Sequence, residues 1–146
     1  MYSSIAQAFA SHGAFVLVIQ HAHDASHTEL PSGNILYQLQ YEHTMDEQAY
    51  DLKRLAYRRD DVRYVIEYIK SIHKKNTGPI FLAGHSFGGT SILALHDEEL
   101  SSVSGMIVYD PWLELLPVKN RKKTPPTLLF TTPSFWYKDK KNGNAI

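Results

Sequence analysis

Two short stretches hold residues whose types and spacing can do covalent chemistry. Gly84-His85-Ser86-Phe87-Gly88-Gly89 is a G-x-S-x-G sequence, and Asp110 closes the next apolar run, Val103 to Tyr109. A serine hydroxyl is a poor nucleophile at neutral pH. It needs an adjacent base, almost always histidine, and an acid that orients that base. In this layout Ser86 is the candidate nucleophile and Asp110 the candidate acid. The backbone N–H of Phe87, next after the nucleophile, is the candidate donor to the oxyanion that forms when a carbonyl is attacked.

The elements around Ser86 are those needed to present it. Pro79-Ile80-Phe81-Leu82-Ala83 is a short apolar run that reads as a strand, and Thr90 to His96 reads as a helix. A tight turn between strand and helix lifts the serine side chain clear of the backbone, the arrangement called a nucleophile elbow. Gly84 and Gly88 carry no β-carbon, so strand and helix are expected to approach closely at both. The helix N-terminus then faces the serine and favours negative charge beside it.

Other segments supply the frame. Ser4 to Ser11 reads as a short helix with Ile5, Ala8 and Phe9 on one face, stopped by Gly13. Ala14 to Ile19 is a continuous apolar run that suits a strand buried on both faces. His21 to Gln40 is polar, contains Pro31 and Gly33, and reads as loop. A long helix is expected from near Asp46 to about Lys74, because Leu52, Leu55, Val62, Val65, Ile66, Ile69 and Ile72 recur at helical steps. Asn76-Thr77-Gly78-Pro79 ends it. Val103 to Tyr109 and Thr127 to Thr131 are further strands, with loop from Trp112 to Pro126 between them. Strands alternating with helices predict a mostly parallel sheet with flanking helices, and chemistry beyond the carboxyl ends of its strands. Both Ser86 and Asp110 lie at such ends.

Composition narrows the remaining classes. The chain has 146 residues, no cysteine and a formal net charge of zero. Disulfides and thiol chemistry are excluded, and no general electrostatic attraction to nucleic acid is expected. Arg121-Lys122-Lys123 and Lys138 to Lys141 read as solvated loop and tail. No signal peptide is visible, which favours the cytoplasm for the chain as given, and no apolar run is long enough for a transmembrane segment. His21-Ala22-His23 could be a metal pair but has no obvious third ligand, so it reads as surface loop. No cofactor and no metal are expected.

The third member of a triad is missing. In α/β-hydrolases the chain order is serine, then acid, then histidine. The eight histidines, His12, His21, His23, His27, His43, His73, His85 and His96, all precede Asp110. His85 lies inside the elbow, with its side chain expected to point away from the serine. His96 lies at the far end of the elbow helix. A second oxyanion donor, normally supplied by a loop before the first helix of the fold, has no candidate either.

Four blocks resemble the platelet-activating-factor acetylhydrolases. Ala10 to His21 resembles their strand and following histidine, and Gly84 to Thr90 is similar to their elbow. Gly105-Met106-Ile107-Val108-Tyr109-Asp110-Pro111-Trp112 resembles their acid-bearing segment. Pro125 to Phe130 resembles their next strand. Arg58-Arg59-Asp60-Asp61-Val62 resembles a helix segment common in the superfamily. The resemblance implies a partial α/β-hydrolase domain over residues 1–135 and a polar tail over 136–146. It implies a lipase-like esterase acting on the sn-2 short acyl ester of a phospholipid, with peripheral contact with lipid surfaces. Ser86 would be its nucleophile, Asp110 its acid and Phe87 N–H half of its oxyanion hole. Members are much longer, with an oxyanion loop before the position of Met1 and a catalytic histidine after that of Ile146. The resemblance therefore implies an internal fragment, weak or inactive alone. Two other readings stand beside it. One is a non-catalytic scaffold binding lipid or a partner through Trp112, Phe135, Trp136 and Tyr137; the other is a general small-molecule serine esterase.

Overall fold

The computed structural model describes residues 2–24, 27–37, 46–72, 78–116 and 124–133. The basic clusters, His43, His73, Phe135, Trp136, Tyr137 and the 136–146 segment lie outside them. The chain forms two compact units, residues 1–39 and residues 40–146.

The first unit opens with helix α1, Tyr2–Ser11. Gly13 stops it with φ +88°, a left-handed conformation that side chains with a β-carbon rarely adopt. Residues 14–20 then depart from expectation. They have no regular secondary structure, and Phe15 and Val18 are each 69% exposed. A parallel-sheet strand exists only through its neighbours' hydrogen bonds, and among the described residues no strand pairs with this run. The polar stretch after it is more ordered than its composition suggests. His27–Glu29 (β1) and Ile35–Tyr37 (β2) form an antiparallel hairpin. Its loop closes through Leu30 N–H to the Asn34 carbonyl at 2.8 Å and Gly33 N–H to the Leu30 carbonyl at 2.8 Å, with Gly33 at φ +81°. Pro31 and Gly33 thus mark a turn between strands rather than a continuous loop.

The second unit contains the long helix α2, Glu47–Ile72, close to its expected span. Leu55, Val62 and Ile66 form its buried stripe, whereas Leu52 and Ile72 remain exposed. Next come strand β3, Ile80–His85, and helix α3, Phe87–Leu93. A one-turn helix α4, Asp97–Leu100, precedes strand β4, Val103–Tyr109. A single 3-10 turn, Leu113–Leu115, and strand β5, Thr127–Phe130, follow.

β3, β4 and β5 form a parallel sheet in that order, with β3 at one edge among the described residues. This is the expected α/β-hydrolase arrangement of a parallel sheet with flanking helices, in partial form. One face carries Leu82, Gly84, Met106 and Val108, with Met106 and Val108 almost fully buried. Gly89 of α3 sits against this face at Val108. The opposite face carries Phe81, Tyr109, Leu128 and Phe130, all exposed. Tyr109 and Phe130 stack there at 5.0 Å. Among the described residues no helix is long and apolar enough to cross a membrane.

Candidate active site

The site begins where β3 stops. Ser86 sits between the strand and α3 with φ 53° and ψ −126°, far from the basins that an L-residue prefers. Holding a non-glycine residue there costs about 1–3 kcal/mol, and such strain persists only where the surroundings impose it. Here they are identifiable. Ser86 N–H donates to the Tyr109 carbonyl at 2.8 Å, tying the turn to β4. The Ser86 carbonyl accepts from Thr90 N–H at 3.1 Å, starting α3.

Close approach explains one motif glycine directly. A β-carbon at Gly84 would lie 2.6 Å from the Gly88 oxygen, 2.7 Å from its carbonyl carbon and 2.8 Å from Gly89 nitrogen. Gly89 is the second tight position, since a β-carbon there would stand 3.0 Å from Val108 Cγ1 and 3.2 Å from the Gly84 oxygen. The expectation for Gly88 is corrected. A β-carbon at Gly88 would meet nothing within 4 Å, because the backbone of Gly88, and not its α-hydrogen side, faces the strand.

Asp110 occupies the matching position on the neighbouring strand. His85 of β3 pairs with Tyr109 of β4, so Ser86 and Asp110 each follow one member of the last rung. Neighbouring strands run about 4.8 Å apart, which brings the two residues to the same end of the sheet. Asp110 also leaves its strand with positive φ, 43°, in the left-handed region that aspartate tolerates better than most residues. Its N–H donates to the Phe130 carbonyl at 2.8 Å. Its carboxylate Oδ1 accepts from Thr132 N–H just beyond β5. Backbone and side chain of Asp110 are therefore both held by the third strand.

Phe87, the first residue of α3, is buried and joins Leu55 and Leu115 in a core cluster. Trp112 packs edge-on against its ring at 5.5 Å. The guanidinium groups of Arg54 and Arg58 lie 4.7 Å and 4.9 Å from the ring centroid, within cation–π range. The side chain of Phe87 thus anchors the elbow to α2, leaving its N–H at the helix start, where no intrahelical acceptor exists. Arg54 and Arg58 are neighbours of the elbow that the sequence does not mark as such. Their signal, arginines one turn apart on a helix, does not indicate a partner so distant in the chain.

Of this unit's histidines, His85 and His96 are among the described residues, and neither lies at the Ser86 turn's α3 side. His85 is exposed on the sheet face opposite α3, as expected. His96 follows α3 and its Nε2 lies 2.8 Å from Arg59 Nη1. In the first unit, His12 Nδ1 lies 2.8 Å from the Ala8 carbonyl. Among the described residues no group of three or more metal-ligating side chains comes together.

Comparison with known families bears on this geometry. The profile of the family described as serine aminopeptidase, S33, a hydrolase family, matches residues 1–143. The chain belongs to this family. No curated protein and no solved structure gives a significant match. The S33 family match makes the parallel sheet an α/β-hydrolase sheet and the reaction class hydrolysis. Ser86 stands strained in the turn between β3 and α3, at the carboxyl end of that sheet.

Proposed function

We propose that Ser86 is the nucleophile of an acyl-transfer site, Asp110 the acid that orients its base, and Phe87 N–H one oxyanion donor. The observation that carries this reading is the backbone of Ser86, strained and fixed at the carboxyl end of β3, beside Asp110 on the next strand. In the reaction, Ser86 Oγ attacks an ester carbonyl carbon and its proton passes to a base. The carbonyl oxygen takes up negative charge beside the N–H groups at the start of α3. Collapse expels the alcohol and leaves an acyl-serine, which water then hydrolyses.

The substrate reading is a short-acyl ester, with the sn-2 ester of a phospholipid as the specific form. It rests on the four blocks that resemble segments of the platelet-activating-factor acetylhydrolases. A residues 1–135 hydrolase region followed by a 136–146 tail belongs to the same proposal. These 146 residues hold no histidine after Asp110, so a polypeptide of this sequence alone should turn over slowly. Loss of a triad base typically removes several powers of ten in rate.

Exogenous imidazole tests the roles without that base. With p-nitrophenyl acetate as the acyl donor, mass spectrometry should find acetate on Ser86, forming faster as imidazole is added. Ser86→Ala should take up none. Equal acetylation of the two proteins would end the proposal. Acetyl and long-acyl phospholipids, with an aminoacyl amide suggested by the family's description, then rank the substrate classes.

A further inference from the structure

Thr90 is fully buried, yet it is polar and lies outside the groups assigned to the chemistry. Its hydroxyl oxygen accepts from Trp112 N–H at 2.8 Å. Its one proton lies within reach of two carbonyls, Trp112 O at 3.2 Å and Ser86 O at 3.3 Å. One hydroxyl therefore meets the backbone of the nucleophile turn and the backbone two residues after Asp110. Pro111, between Asp110 and Trp112, is also fully buried, and its Cβ lies 3.4 Å from where a Gly89 β-carbon would stand. The segment that follows β4 is thus seated on α3, the helix that begins at the elbow.

We infer that Thr90 is a positioning residue, whose hydroxyl clamps the Asp110–Trp112 segment to the elbow and sets the acid relative to Ser86. The inference rests on the proposed roles of Ser86 and Asp110. The half-buried Trp112 donates its N–H to the Thr90 hydroxyl, and removing that acceptor leaves the donor unpaired in a partly desolvated place. A hydroxyl that accepts from one segment while donating to either of two carbonyls holds both at fixed separation, which a methyl group of equal size cannot do.

Thr90→Val keeps the shape and removes the hydroxyl, and Thr90→Ser restores it. Amide hydrogen exchange should show Trp112 N–H exchanging about tenfold faster in Thr90→Val, with Val108 and Leu82 still protected, and returning towards wild type in Thr90→Ser. Imidazole-dependent acetylation of Ser86 per folded molecule should follow the same order. A role confined to stability would lower the unfolding midpoint without changing that rate. Unchanged Trp112 exchange in folded Thr90→Val overturns the clamp. So does a lowered acetylation rate that serine fails to restore. If Thr90→Val does not fold, the wild-type chain still decides. Trp112 N–H protected as well as Val108 N–H supports the clamp, and exchange at the free-peptide rate overturns it. If Ser86 takes up no acetate at all, the nucleophile proposal fails, while the exchange result still stands for or against the clamp.

Discussion

Two glycines of one motif should respond in opposite directions to the same substitution. Gly84→Ala places a methyl 2.6–2.8 Å from three backbone atoms of Gly88 and Gly89. None of these is the end of a flexible side chain, so relief requires α3 to retreat as a body. Restoring ordinary contact, near 3.4 Å, takes a shift of about 0.8 Å from the 2.6 Å start. That shift loosens Gly89 from Val108 and Thr90 from Trp112, both at close contact now. Inserting a methyl into a packed site costs about 1–3 kcal/mol, and backbone on all three contacts places this case near about 3 kcal/mol. The folding constant then falls more than about a hundredfold. The melting temperature falls by about 10 °C or more. Gly88→Ala adds its methyl to open space within a helix, where alanine is favoured over glycine by about 0.5–1 kcal/mol. Urea unfolding followed by circular dichroism gives both numbers. Equal midpoints for the two variants, or a Gly84→Ala midpoint matching wild type, would refute the close-approach argument.

The other expectations concern the site and its support. Ser86→Gly should raise stability by about 1 kcal/mol, because glycine relieves the strained backbone, while Ser86→Ala should not. A denaturation midpoint for Ser86→Gly at or below that of Ser86→Ala would contradict this. Asp110→Asn keeps an oxygen for Thr132 N–H and tolerates positive φ, so its stability should stay within about 0.5 kcal/mol of wild type, whereas Asp110→Ala loses about 1–3 kcal/mol. Imidazole stimulation of Ser86 acetylation should nonetheless disappear in Asp110→Asn; retained stimulation argues against Asp110 as the acid. Ile66→Ala, at 3% exposure, should destabilise by about 2–5 kcal/mol. Leu128→Ala, at 60% exposure, should change stability by no more than about 0.5 kcal/mol in the same urea titration.

Much of the site could be read from the chain because its signals are local. The strand before Ser86, the helix after it and the end of β4 at Asp110 each lie within a few residues of the sequence cue that marks them. The α2 span was legible for the same reason, as apolar residues at helical steps report the backbone that carries them. The 14–19 run was not, because hydrophobic periodicity says what a segment can bury and nothing about whether a partner strand stands beside it. The 27–37 hairpin was missed for the converse reason, since a Pro-Ser-Gly turn flanked by three-residue strands leaves too short a pattern to separate from loop.

By itself, then, the amino-acid order determined the chemical types at the site: a serine in an elbow, an acid one strand later, and no histidine beyond it. Only the tertiary structure decided which contacts enforce that arrangement. Gly84 and Gly89, not Gly88, are the tight positions, and Arg54, Arg58 and Trp112 enclose the Phe87 ring. Thr90 joins two segments 22 residues apart. The physical reason is distance along the chain. Strand and helix preferences are set by neighbours in sequence, whereas close approach and shared hydrogen bonds arise only once the sheet brings remote segments together.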